Sequence, residues 1–159
     1  MRADGLKACV TVLFAVGAVA LGTACSAPDE SAANEPVALA AVEQLPPQIQ
    51  EAPATVRQAY QFAAANPAIL ERVPCYCGCG SVGHTSVHSC YVASGRSVEP
   101  IRYDGHALGC SICVDIALDA LRLTREGMSP DQIRAYVDRN YSRFGTSNMQ
   151  RPMATLHRR

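Results

Sequence analysis

Hydrophobic positions along the chain follow two rules. From Ala8 to Leu21 they form one uncharged run, ACVTVLFAVGAVAL, whereas past residue 55 they recur at helical spacing among polar residues. In the second regime Val56, Ala59, Tyr60 and Ala63 fall at i, i+3, i+4 and i+7, which predicts an amphipathic helix. It stops at Asn66-Pro67, with Asn66 read as a cap and Pro67 as the start of a short turn to Val73 and Pro74. A second helix carries Cys113, Ile116, Ala117, Ala120, Leu121 and Thr124 on one face and Asp115, Asp119, Arg122 and Glu126 opposite, with Gly127 as its stop. A third opens on Ser129-Pro130-Asp131-Gln132, a capping box with Pro at its first position, and continues in a stripe of Ile133, Tyr136, Val137, Tyr141 and Phe144. Between Cys75 and Gly109 the periodicity vanishes into Gly, Ser and His, predicting irregular loop with a short strand pair near Tyr91–Ala93 and Ile101–Tyr103. The fold class is therefore mainly α: a small helical domain whose Cys/Gly-rich loop carries a thiol cluster, stapled by metal or by disulfides.

The apolar run decides the compartment. It is too short to span a bilayer, which takes about 20 residues, but it suits the h-region of a signal peptide after the positive Arg2 and Lys7. Leu21-Gly-Thr-Ala-Cys25 resembles a bacterial lipoprotein cleavage box, in which the cysteine becomes the acylated first residue. Gly22 stands where that box usually has Leu, Val or Ile, so cleavage after Ala24 to a soluble secreted or periplasmic form is the alternative. Residues 26–54 hold acids (Asp29, Glu30, Glu35, Glu43, Glu51), no base, and much Ala and Pro, a composition that reads as a disordered tether. The expected layout is a signal peptide at 1–24, a tether at 25–54 anchored to a bacterial membrane through Cys25, a folded domain at 55–147 and a polar tail at 148–159 containing His157.

Charge excludes one class of partner. Lys+Arg and Asp+Glu both number 14, so no basic excess attracts nucleic acid. With no Trp and only 6% aromatics the core must rest on aliphatic residues, and a domain this small needs a staple. Cysteine supplies the candidates, at 8 in the chain. Cys9 leaves with the signal peptide and Cys25 is the anchor. Cys75, Cys77, Cys79, Cys90, Cys110 and Cys113 remain, interspersed with His84, His88 and His106.

Pro74-Cys-Tyr-Cys-Gly-Cys-Gly80 is the sharpest motif. A disulfide inside C-x-C conflicts with preferred Cα separations, whereas two such thiolates can share one metal. Gly78 and Gly80 are expected to clear room for a tight wrap. Cys110-Ser-Ile-Cys113 opens a helix, where free backbone N–H groups stabilise thiolates. That pair suits zinc or copper and equally a redox disulfide, while Val114 in place of His excludes covalent c-type haem. His84 and His106 are candidate ligands or neighbours of ligands, and His88 a weaker one. No activated Ser or carboxylate pair stands in a recognisable motif, which weighs against a hydrolase.

Cys75-Tyr76-Cys77-Gly78-Cys79 after Pro74, followed by His84, Cys90, His106, Cys110 and Cys113, resembles the extracytoplasmic PCYCGC-motif proteins, many of them bacterial lipoproteins. The likeness runs from about Tyr60 to Tyr141. It implies an extracytoplasmic location and the cysteine framework, and no activity comes with it. Three readings stay open. Six thiols exceed the four of a tetrahedral zinc, and soft ligands in excess favour Cu(I), alone or as a cluster, with zinc as the close variant. The ligands would be these six cysteines with His106 and His84, and the partner an extracytoplasmic metal donor or acceptor. The same six thiols can instead form three disulfides in a structural or interaction lipoprotein. Third, Cys110 and Cys113 can serve a thiol–disulfide oxidoreductase.

Overall fold

The computed structural model describes residues 36–93 and 100–149. The signal segment, the lipid-anchor candidate Cys25 and His157 lie outside the described residues. Five helices carry the fold: α1 (Pro47–Gln50), α2 (Ala54–Ala65), α3 (Pro67–Leu70), α4 (Ser111–Arg125) and α5 (Pro130–Tyr141). Single 3-10 turns at Val42–Gln44, Cys79–Val82, His88–Cys90, His106–Leu108 and Ser142–Phe144 punctuate the loops. No strand forms among the described residues. The expected strand pair reduces to one antiparallel bridge, Val92 with Tyr103, flanked by Ala93 N–H to Arg102 O and Asp104 N–H to Tyr91 O, both 2.8 Å.

The long helices form where the periodicity places them. α2 buries Ala59, Tyr60, Phe62 and Ala63 against α4, which returns Cys113, Ile116, Ala117, Ala120 and Leu121. α5 closes the other side of α4 with Ile133, Val137 and Tyr141. Each such aliphatic or aromatic side chain removed from water contributes about 1.5–3 kcal/mol. Gly127 ends α4 in the left-handed region at φ 78°, with its N–H on Thr124 O and that of Met128 on Leu123 O. The capping box of α5 is present in full: Ser129 Oγ accepts from Gln132 N–H, and Gln132 Oε1 accepts from Ser129 N–H at 2.8 Å.

Three expectations need correction. The tether was placed over 25–54, yet residues 36–54 lie along the domain, with Leu45 and Ile49 buried and Val37 half-buried against the core. Ala40 N–H bonds Gln61 O at 3.0 Å, and the side chains of Gln61 and Asn66 return bonds to Ala40 O and Ala38 O. Averaging over an Ala/Pro/Glu-rich stretch hid these apolar anchors. Asn66 does stand at the N-cap of α3 with Pro67 as the first helical residue, but its side chain makes no capping bond; its Nδ2 instead donates to Phe62 O in the last turn of α2. Phe144 does not continue the stripe of α5, because the helix gives way to a 3-10 turn at Ser142 and leaves the ring 49% exposed.

Candidate metal centre

The site is built where the loop from Glu71 to Gly109 folds back on the start of α4. Pro74 to Cys79 threads through the core: Cys75, Tyr76 and Cys79 are buried and Cys77 half-buried. Tyr76 turns away from the thiols and donates its hydroxyl to Asp138 Oδ1 on α5 at 2.6 Å, which pins the strip to the helical scaffold. Gly78 then adopts φ 86°, reversing the chain so that Cys79 faces back toward Cys75. A Cβ at Gly78 would meet nothing within 4 Å, so this glycine serves conformation rather than clearance. Gly80 would carry a Cβ at ordinary contact distance from Asn148, 3.5 Å, so it does not need to be small either.

All six thiols and two imidazoles converge. Cys75 Sγ lies 3.4 Å from Cys77 Sγ and 3.5 Å from Cys113 Sγ. Cys77 Sγ is 3.6 Å from Cys113 Sγ and 3.4 Å from His106 Nε2. Cys79 and Cys90 pair at 3.5 Å. None of these cysteines is bonded to another; a disulfide would bring two sulfurs to about 2.05 Å. Thiolates around a tetrahedral zinc, each about 2.3 Å from the ion, stand about 3.8 Å apart. The donor atoms of Cys77, His106, Cys110 and Cys113 lie within 4.8 Å of one another, as do those of Cys79, His84, Cys90 and His106. The arrangement can hold a metal ion. His88, by contrast, is buried in its own 3-10 turn and joins neither group.

Protonation inside the cluster is uneven. Hydrogen bonds from Cys113 and then Cys90 lower the Cys75 thiol well below its usual range. Cys113 is pushed up chiefly by donating to Cys75. Burial, followed by interaction with Cys75, raises Cys77 and Cys79. Cys90 is also raised, because its bond to Cys75 and its burial outweigh a lowering interaction with Cys113. A metal cation arriving here meets in Cys75 the thiol that gives up its proton most readily and must displace protons held more tightly by Cys77, Cys79, Cys90 and Cys113.

Residues to which the sequence reading gave no part in the site hold this cluster. Asn148, expected in the polar tail, clasps the motif: its Oδ1 accepts from Cys75 N–H at 2.7 Å and its own N–H donates to Cys75 O at 3.0 Å. Its Nδ2 donates to Cys79 Sγ at 3.4 Å and to Ser86 O at 3.1 Å. Asp104 accepts the His106 backbone N–H on Oδ1 at 2.7 Å and sets Oδ2 3.6 Å from His84 Nε2. Tyr91 donates to Cys113 O at 2.7 Å, and Tyr60, edge-on to the Tyr91 ring, donates to Asp104 O at 2.7 Å. Asp104 was legible only as a carboxylate close to His106; that it faces the His84 ring is a long-range contact. Asn148 had no local signal.

No curated protein and no solved structure matches the chain. The family described as "protein of unknown function with PCYCGC motif" matches residues 22–154, a span that takes in the motif, every clustered cysteine and histidine, and Asn148. Over that length the resemblance carried by Pro74 to Cys79 becomes an assignment: the chain belongs to the PCYCGC-motif family.

Proposed function

We propose that the protein is an extracytoplasmic, membrane-tethered binder of a soft metal ion, Cu(I) first and zinc second. The observation that carries this reading is the convergence of six unbonded thiols and two imidazoles at one locus. Soft thiolates in excess of four favour Cu(I) over a purely structural zinc. Cys75 supports metal over disulfides, because its sulfur touches both Cys77 and Cys113 and a disulfide satisfies only a pair. Cys113 likewise has its close sulfur neighbours in Cys75 and Cys77, so the C-x-x-C is drawn into the cluster. The tether and the anchor at Cys25 rest on the sequence alone, and an extracytoplasmic donor or acceptor of the metal is the partner this reading implies.

The test is to purify the chain anaerobically and record metal content, native mass and free thiols together. Bound Cu or Zn, reduced in amount in Cys75→Ser and Cys77→Ser, supports the reading. Metal-free protein with all six thiols oxidised overturns it in favour of a disulfide scaffold. Reduction of a protein disulfide, abolished by Cys110→Ser, overturns it in favour of an oxidoreductase.

A further inference from the structure

The eight donors do not surround one point. Cys77, His106, Cys110 and Cys113 form one set of four and Cys79, His84, Cys90 and His106 a second. The shared His106 can serve only one ion, and its Nε2 lies 3.4 Å from Cys77 Sγ in the first set, which leaves the second set one donor short. Cys75 groups with Cys77 and Cys79 and also with Cys90 and Cys113, so its sulfur stands at the seam of the two sets. A single tetrahedral ion uses four donors and would leave the other four without employment. His84 adds an independent sign. Its Nδ1 is buried with no hydrogen-bond partner among the described residues, while Nε2 faces Asp104 Oδ2 at 3.6 Å. A histidine that turns one nitrogen to a carboxylate and keeps the other as a bare buried lone pair has the arrangement of a metal ligand.

We propose that the cluster is a two-metal centre: an outer ion on Cys77, Cys110, Cys113 and His106, and an inner ion on Cys79, Cys90 and His84, with the Cys75 sulfur completing the inner set and touching the outer one. Asp104 is the positioning residue for both histidines, through His84 Nε2 and the His106 backbone N–H. The two positions differ in access. Cys77, His106 and Cys110 are half-buried, whereas Cys79 and Cys90 are buried, and Asn148 Nδ2 covers the Cys79 sulfur. The outer ion is therefore the exchangeable one, and the inner ion stays with the fold.

This inference rests on the metal-binding reading, and its test separates the two. The full chain, reduced and metal-free, is titrated anaerobically with Zn(II) and, in parallel, with Cu(I), and bound ions are counted by native mass spectrometry. Binding of neither ion overturns the metal-binding reading itself. Under the two-metal proposal, whichever ion binds saturates at two per chain and leaves in two phases when a chelator is added. Cys110→Ser and His106→Ala each abolish the fast phase and retain one ion. Cys90→Ser and His84→Ala each abolish the slow phase and retain one, and the retained ion certifies that each variant has folded. Asp104→Asn keeps two ions but accelerates the slow phase by about tenfold, the lower end for losing a carboxylate behind a ligating histidine. Saturation at one ion, or loss of all metal from both families of variant, overturns the two-metal centre while leaving metal binding standing.

Discussion

Asn148→Ala isolates the clasp that closes the motif on itself. The substitution removes the acceptor of the Cys75 N–H, one donor to Ser86 O and the N–H contact to Cys79 Sγ, and leaves the backbone bond from Asn148 N–H to Cys75 O. Cys75 is fully buried and Ser86 is 5% exposed, so water cannot readily replace what is lost. Orphaning a buried donor costs about 1–3 kcal/mol, and the weakened acceptor adds about 1 kcal/mol. The sum, about 2–4 kcal/mol, is a large part of the stability of a domain this size. In urea, with a slope of about 1–3 kcal/mol per molar, it moves the unfolding midpoint of the reduced, metal-free chain down by about 0.7–4 M. A loss below about 0.5 kcal/mol would refute the reasoning, and would mean that the thiols hold the loop without Asn148.

Gly78→Ala forces a side chain into the left-handed region and should cost about 1–2 kcal/mol; because its Cβ meets no atom, Gly78→Asn should cost less, and equal losses in the same urea assay would contradict the conformational explanation. Tyr76→Phe removes the 2.6 Å bond to the Asp138 carboxylate and should cost about 1–2 kcal/mol while bound metal per chain stays unchanged, since the hydroxyl points away from the cluster. Cys77, Cys79, Cys90 and Cys113 are raised above the thiol value of 9.0, so above that pH the unfolded thiols ionise and the folded ones do not; stability is full below it and falls as pH rises beyond. Cys75, lowered to about 2, works oppositely below that point, its contribution growing up to the unfolded thiol value and being lost as pH falls toward 2. The reduced, metal-free chain should therefore be most stable near pH 9, and a flat profile of urea midpoints from pH 7 to 11 would contradict this protonation pattern.

Helical periodicity made α2, α4 and α5 legible because each must bury one stripe, and the stripe is written in consecutive turns. Ser129 to Gln132 was equally readable, since a capping box is a local exchange of two hydrogen bonds. The cysteine loop was legible as chemistry rather than as shape: spacing named the donors, and only the folded chain shows that Cys75 sits between Cys77, Cys113 and the Cys79–Cys90 pair. What escaped is long-range. Asn148 reaches Cys75 across 73 positions, and Leu45 and Ile49 pack on a helix whose apolar face gives no hint of what covers it. Polar composition then misassigned residues 36–54 and Asn148, because a few well-placed contacts outweigh an average.

The central claim, a thiolate-rich metal centre, is tested most directly by X-ray absorption at the metal edge on the full chain loaded anaerobically. The account predicts a first shell dominated by sulfur, at about 2.3 Å for zinc, with a minority of imidazole nitrogen at about 2.0–2.1 Å. A first shell of oxygen and nitrogen alone, or a metal edge unaffected by Cys75→Ser and Cys77→Ser, would contradict it.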